Sequence, residues 1–120
     1  MNTSAMRRRL LQGPRIVSSD PPDGAVGVAP GAAITIRFNK PVQLSNFTLY
    51  KLTPPIDPLV GKSTAYVGGD MTLVRITPTA PMAAGCDYKI YERVGIPIRD
   101  LQNKERRGCD VPFPFTWTVA

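Results

Sequence analysis

From residue 32 to 39 the chain alternates without a break, Ile34, Ile36 and Phe38 against Thr35, Arg37 and Asn39. Successive side chains of a strand point to opposite faces, so this spacing predicts a strand with one buried and one wet side. Lys40-Pro41 closes it, since proline has no N–H to give a ladder. The same period of two runs through 47–52 (FTLYKL), with Phe47 and Leu49 on one face. It returns in 87–94, where Tyr88 and Ile90 are in phase. It returns again in 113–119, where Phe113, Phe115, Trp117 and Val119 oppose Thr116 and Thr118. Residues 62–67 and 71–77 flank Gly68-Gly69-Asp70, a hairpin signal because tight primed turns need positive φ at their centre. In the second of these Met71, Leu73 and Arg75 share one face and Thr72, Val74 and Ile76 the other, a mixed pattern that leaves the facing open. A first strand is expected over 15–19, ended by Asp20-Pro21-Pro22-Asp23-Gly24. The three prolines of 53–58 restrict that stretch to a loop or a sheet edge. Apolar residues nowhere recur at helical spacing over three turns; the one helix candidate is 3–12, which Gly13-Pro14 would stop. Seven strands with short, Pro- and Gly-rich connections predict an all-β sandwich or barrel.

A length of 120 residues fits one domain and leaves little room for a second. The expected division is a basic N-terminal arm, 1–14, and a body, 15–120. The 42% apolar content is ordinary for a folded protein. No stretch approaches the roughly 18 apolar residues of a membrane-spanning helix. At the N-terminus Gln12, Gly13 and Pro14 follow Leu10 and Leu11, well short of the about 7–15 apolar residues in a signal-peptide core. Synthesis in the cytosol without secretory export is the resulting expectation. The net charge of +6 is uneven, because residues 1–15 carry Arg7, Arg8, Arg9 and Arg15 and no acid, while 16–120 are close to neutral. The arm is either a solvated tail or a segment that docks on an acidic protein surface. Nucleic acid is disfavoured as a partner, since the arm has no interleaved aromatics and no recognition fold follows it.

Catalytic residue types are scarce. The chain has no histidine, which removes the commonest general base and the commonest metal ligand together. Two cysteines cannot make a structural zinc site alone. None of Ser4, Ser18, Ser19, Ser45 and Ser63 stands in a nucleophile-elbow context, and the carboxylates single out no pair. A non-enzyme without cofactor or metal is expected. Cys86 precedes the Tyr88 strand and Cys109 the Trp117 strand. If those strands pair antiparallel, the two thiols lie about 20 Å or more apart at roughly 3.3 Å per residue. A disulfide needs Cα atoms within about 7 Å, so free thiols are expected.

Several ordered motifs resemble the bacterial Ig-like domains first grouped with S-layer proteins. Pro21-Pro22-Asp23-Gly24-Ala25-Val26-Gly27-Val28 is similar to that family's opening Pro-x-x-Gly-Ala-x-x-Val turn. Residues 34–42 (ITIRFNKPV) are similar to its alternating strand ending in Phe-Ser/Asn-x-Pro-Val. Residues 78–88 (PTAPMAAGCDY) are similar to its Pro-x-x-Pro-Leu-x-x-Gly-x-x-Tyr corner. Asp100-Leu101-Gln102-Asn103 and the closing FTWTV of 115–119 complete the likeness. The resemblance covers about residue 15 to 120 and implies an immunoglobulin-like β-sandwich of about seven antiparallel strands. It implies structural roles for Gly24, Phe38, Gly85, Tyr88 and Trp117. Gly85 would turn the chain, and the Tyr88 hydroxyl would fold back on the preceding corner. It also raises a calcium site around Asp100 and Asn103, for which a turn held by Asx-type hydrogen bonds is the preferred reading. Trp117 reads as core in preference to a sugar platform, and Phe113, between Pro112 and Pro114, as the most exposed of the three terminal aromatics.

Such family members usually stand in tandem within long secreted proteins. A lone domain without an export signal but with a basic arm leads to a first expectation, a virion component of a tailed bacteriophage. It would be a capsid decoration (cement) or tail-accessory protein. Its partners would be other capsid or tail subunits in many copies. They would be bound through Arg7, Arg8, Arg9, Leu10, Leu11 and Arg15, through Arg106 and Arg107, and through the edge at 53–58. The alternative is a bacterial cell-surface adhesion or carbohydrate-binding Ig-like module, or a spacer domain of a larger secreted protein.

Overall fold

In a computed structural model, residues 13–44, 47–93, 97–106 and 108–120 are described, and they form nine strands with no helix. These are β1 (Arg15–Asp20), β2 (Ala25–Val28), β3 (Ile34–Phe38), β4 (Phe47–Lys51) and β5 (Lys62–Val67), then β6 (Asp70–Pro78), β7 (Asp87–Glu92), β8 (Gly108–Cys109) and β9 (Phe115–Val119). They build a five-stranded sheet in the order β5-β6-β3-β1-β8 and a four-stranded sheet in the order β2-β9-β7-β4. The architecture is the Ig-like sandwich that the alternation predicts.

Period-two patterning selects the core directly. Ile34, Ile36 and Phe38 of β3 are at most 2% exposed, as are Phe115, Trp117 and Val119 of β9. In β6 the open facing resolves in favour of Val74 and Ile76, both fully buried. Fully burying one such side chain is worth about 1.5–3 kcal/mol. The Tyr88 corner is present, since the Ala83 N–H donates to the Tyr88 hydroxyl at 2.8 Å. Gly85, at φ +71°, supplies the left-handed turn that a side chain resists there. The Tyr88 ring stacks on Trp117 at 6.3 Å and 14°, so the corner also clamps the centre of the core.

Two strands escape the sequence reading, which counted seven. β2 pairs parallel with β9 (Ala25↔Trp117), and β8 pairs parallel with β1 (Arg15↔Gly108), so both sheets are mixed. β7 and β9 do pair antiparallel, Tyr88 opposite Trp117, and both cysteines are free. Cys86 lies just before β7 in one sheet and Cys109 in β8 of the other. Gly13 and Pro14, at the end of the arm, are buried. A side chain on Gly13 would come within 1.5 Å of the Glu105 carbonyl oxygen, so the chain enters the body through a contact that only glycine admits. Arg7, Arg8, Arg9, Leu10, Leu11 and Arg107 lie outside the described residues.

Candidate functional site

Strand β4 is an edge, and exposed edges invite unwanted pairing. The loop that follows it covers part of that edge. The Lys51 N–H donates to the Asp57 carbonyl at 2.8 Å, the Asp57 N–H to the Lys51 carbonyl at 3.2 Å, and the Val60 N–H to the Leu49 carbonyl at 3.0 Å. The Leu59 N–H donates to Asp57 Oδ1 at 3.0 Å. At the loop's start the Asp87 N–H donates to Thr53 Oγ1 at 2.8 Å. Pro54, Pro55 and Pro58 further narrow its freedom. This fixed loop nevertheless holds Ile56 57% and Leu59 77% exposed. It forms an apolar ridge at 52–60, in the stretch that the prolines marked as loop or edge.

Two hollows flank the ridge. On the outer face of β4 and β7 a groove of about 350 Å³ is lined by Tyr50, Leu52, Lys89 and Tyr91. The two tyrosine rings stand 6.3 Å apart and tilted by 59°, and Lys89 Nζ lies 5.3 Å from the Tyr91 ring centroid, within cation–π range. The tilt denies a sugar ring one flat stacking surface. The second hollow, about 270 Å³, lies between β4 and the start of β5, each at one edge of its sheet. Phe47, Thr48 and Leu49 line it from β4 and Leu59 and Val60 from the loop, with Lys62 and Arg93 beside them. Partial burial, and then the Arg93 charge, draw the Lys62 ammonium below the ordinary lysine value.

The basic residues singled out in the sequence are engaged elsewhere. Arg15 pairs through Nε with Asp110 Oδ1. Arg106 pairs with Glu92 Oε1, its Nε at 3.0 Å, and its guanidinium lies 5.1 Å from the Phe113 ring centroid. Phe113 is accordingly half-buried, while Phe115 and Trp117 are each 1% exposed. Arg15 sits in β1 beside β8, at the far side of the five-stranded sheet from β5. The two arginines therefore help close the fold and do not join the ridge.

Asp100 makes a turn. Its Oδ1 accepts from the Gln102 N–H at 2.9 Å and the Lys104 N–H at 2.8 Å, and its Oδ2 lies 2.8 Å from Lys40 Nζ. Asn103 takes φ +66° within that turn. Burial alone would raise the Asp100 carboxyl, but the Lys40 ammonium and the two backbone N–H groups outweigh it and hold the carboxyl below the ordinary range. Among the described residues no group of three or more His, Cys, Asp or Glu side chains is placed to hold a metal ion.

Sequence reasoning missed Lys62, Arg93 and the Tyr50–Tyr91 pair. A signal for the tyrosines existed, since Tyr50, Lys89 and Tyr91 occupy the outward positions of strands whose inward positions were recognised. The placing of Lys62 and Arg93 at one hollow had none, because it depends on the pairing of β7 with β4 and on the path of the loop after β4.

The sequence pattern of the bacterial Ig-like domain matches residues 12–117. The chain belongs to this family. A copper resistance protein C of Pseudomonas syringae pv. tomato is 37% identical over 82 residues, an alignment spanning 64% of this chain and 64% of that protein. This chain thus matches a little under two thirds of the length of that curated relative. Among solved structures, domains 1–6 of the surface layer protein SbsC superpose with a TM-score of 0.59 at 15% identity, covering 98% of this Ig-like chain and 15% of that one. CopC from Methylosinus trichosporium OB3b superposes with a TM-score of 0.56 at 14% identity, covering 88% of this chain and 92% of that one. At such identities the likeness is one of fold.

Proposed function

We propose that this Ig-like domain is a non-catalytic binding module of a bacterial cell surface, docking a partner protein through the ridge at 52–60. The carrying observation is that Ile56 and Leu59 stand 57% and 77% exposed on a loop already fixed by its own hydrogen bonds. A preformed apolar ridge loses little conformational entropy on binding. A spacer role asks only for a stable sandwich and gives no reason for that exposure. The virion reading rests on a lone domain without an export signal and on the arm, whose Arg7 to Leu11 lie outside the described residues, and the relatives named above favour the surface reading over it.

Among the described residues, copper, the metal named in the curated relative, finds no assembled donor set: the chain has no histidine, the two thiols belong to different sheets, and the Met82 thioether is buried in the core. No metal step enters the proposal. Retention of the purified domain on cell envelopes of the producing organism tests the docking reading. The double variant I56S/L59S should lose at least tenfold in retention with an unchanged melting temperature; equal retention would overturn the ridge as the contact.

A further inference from the structure

We propose that the hollow between β4 and β5 seats a carboxylate side chain from an acidic, apolar-flanked segment of the partner protein, with Lys62 and Arg93 as its anion-binding groups. This rests on the docking reading and adds the chemistry of the partner. Within the described residues five ion pairs engage Arg15, Arg37, Lys40, Arg99 and Arg106. Lys62 and Arg93 belong to none of these, and no acidic side chain lines the hollow they share. Two cations thus border one hollow without an acidic lining residue, an arrangement that an incoming anion relieves.

The lining specifies more than negative charge. Phe47 and Leu49 are at most 2% exposed, so its accessible apolar surface comes chiefly from Leu59 of the ridge, which stands beside Val60, Thr48 and the two cations. Ammonium and guanidinium groups are pure donors, which match an acceptor-only carboxylate. A neutral polysaccharide brings no charge to these two cations and no apolar group to the exposed Leu59 beside them.

Fluorescence anisotropy with a dye-labelled Gly-Leu-Glu-Leu-Glu-Gly peptide tests the site, with its Glu-to-Gln counterpart and polygalacturonate as the other arms. The acidic peptide should bind and weaken steeply with added salt. K62Q and R93Q should each reduce affinity about tenfold, the usual scale for a lost charge-assisted hydrogen bond, while melting as the parent does. Equal binding of the Gln peptide, or unchanged affinity in both variants, would overturn the proposal. Lys62-dependent binding of polygalacturonate without binding of the peptide would overturn it in favour of a sugar ligand. The two readings separate cleanly. If no acidic peptide binds but I56S/L59S still abolishes envelope retention, the carboxylate seat is wrong and the ridge stands. If retention survives I56S/L59S while the peptide binds through Lys62, the ridge is wrong and the seat stands.

Discussion

Lys40 and Lys62 both lie partly buried at the margins of the sandwich, in opposite circumstances. Lys40, its side chain 20% exposed, meets the fully buried Asp100 carboxylate at 2.8 Å, and that carboxylate also satisfies two backbone N–H groups. Lys62 has another cation, Arg93, as its charged neighbour. The first arrangement closes on itself and locks a turn. The second is left incomplete by this chain, which is what a surface retained for an outside anion requires. Their pH responses run in opposite senses. Asp100 titrates below the unfolded carboxyl value of about 3.9, so its contribution is present above that pH and is lost as pH falls through the folded value. Lys62 is lowered, so its charge opposes folding at neutral pH, and that opposition fades as pH rises through its folded value toward about 10.4.

The contrast can be broken by measurement. D100A should destabilise most, by about 3 kcal/mol in urea titration, the lower end of the range for leaving one member of a buried pair alone, because Lys40 can reach water. The D100A variant should also lose the part of the parent's acid sensitivity that sets in below about pH 4. Y88F should lower stability by about 1–2 kcal/mol through the Ala83 N–H left without its acceptor, read from the same titration. K62M should be neutral or raise stability by a few tenths of a kcal/mol at pH 7, since the ammonium is only partly buried. A loss approaching that of D100A would show that Lys62 is a structural charge after all. I56S/L59S should fall within about 0.5 kcal/mol of the parent in thermal melts, which keeps any lost binding attributable to the ridge.

Much of the sandwich is legible in the chain because its cues are local. Ile34, Ile36 and Phe38 announce one inner face, Gly68-Gly69 a hairpin, and the Gly85 to Tyr88 spacing a corner. β2 and β8 carry no such cue. Val26 is 78% exposed and Gly27 has φ +69°, so β2 shows no apolar alternation, and β8 has only two residues, too few to show a period. Both pair parallel, and a parallel neighbour is brought by a distant crossover that no turn motif announces. The candidate site divides in the same way. Prolines of 53–58 marked the ridge, whereas Lys62 and Arg93 border one hollow only because β7 pairs with β4 and the loop returns along β4. Arg15 and Arg106 misled because sequence charge does not reveal a partner such as Asp110 or Glu92.

The parallel contact of β2 with β9 also bears on how the domain is made. Ala25 and Trp117 are register partners 92 residues apart, and β9 lies between β2 and β7 in its sheet. During synthesis β7 can pair with β4, but β2 must wait for 115–119 to leave the ribosome, with Tyr88 and Ile90 still short of their β9 neighbours. Contacts of such long separation slow folding, and the waiting chain is open to aggregation. A nascent domain of this topology completes its second layer late, so a truncation before β9 should yield a chain for the proteases and not a smaller sandwich.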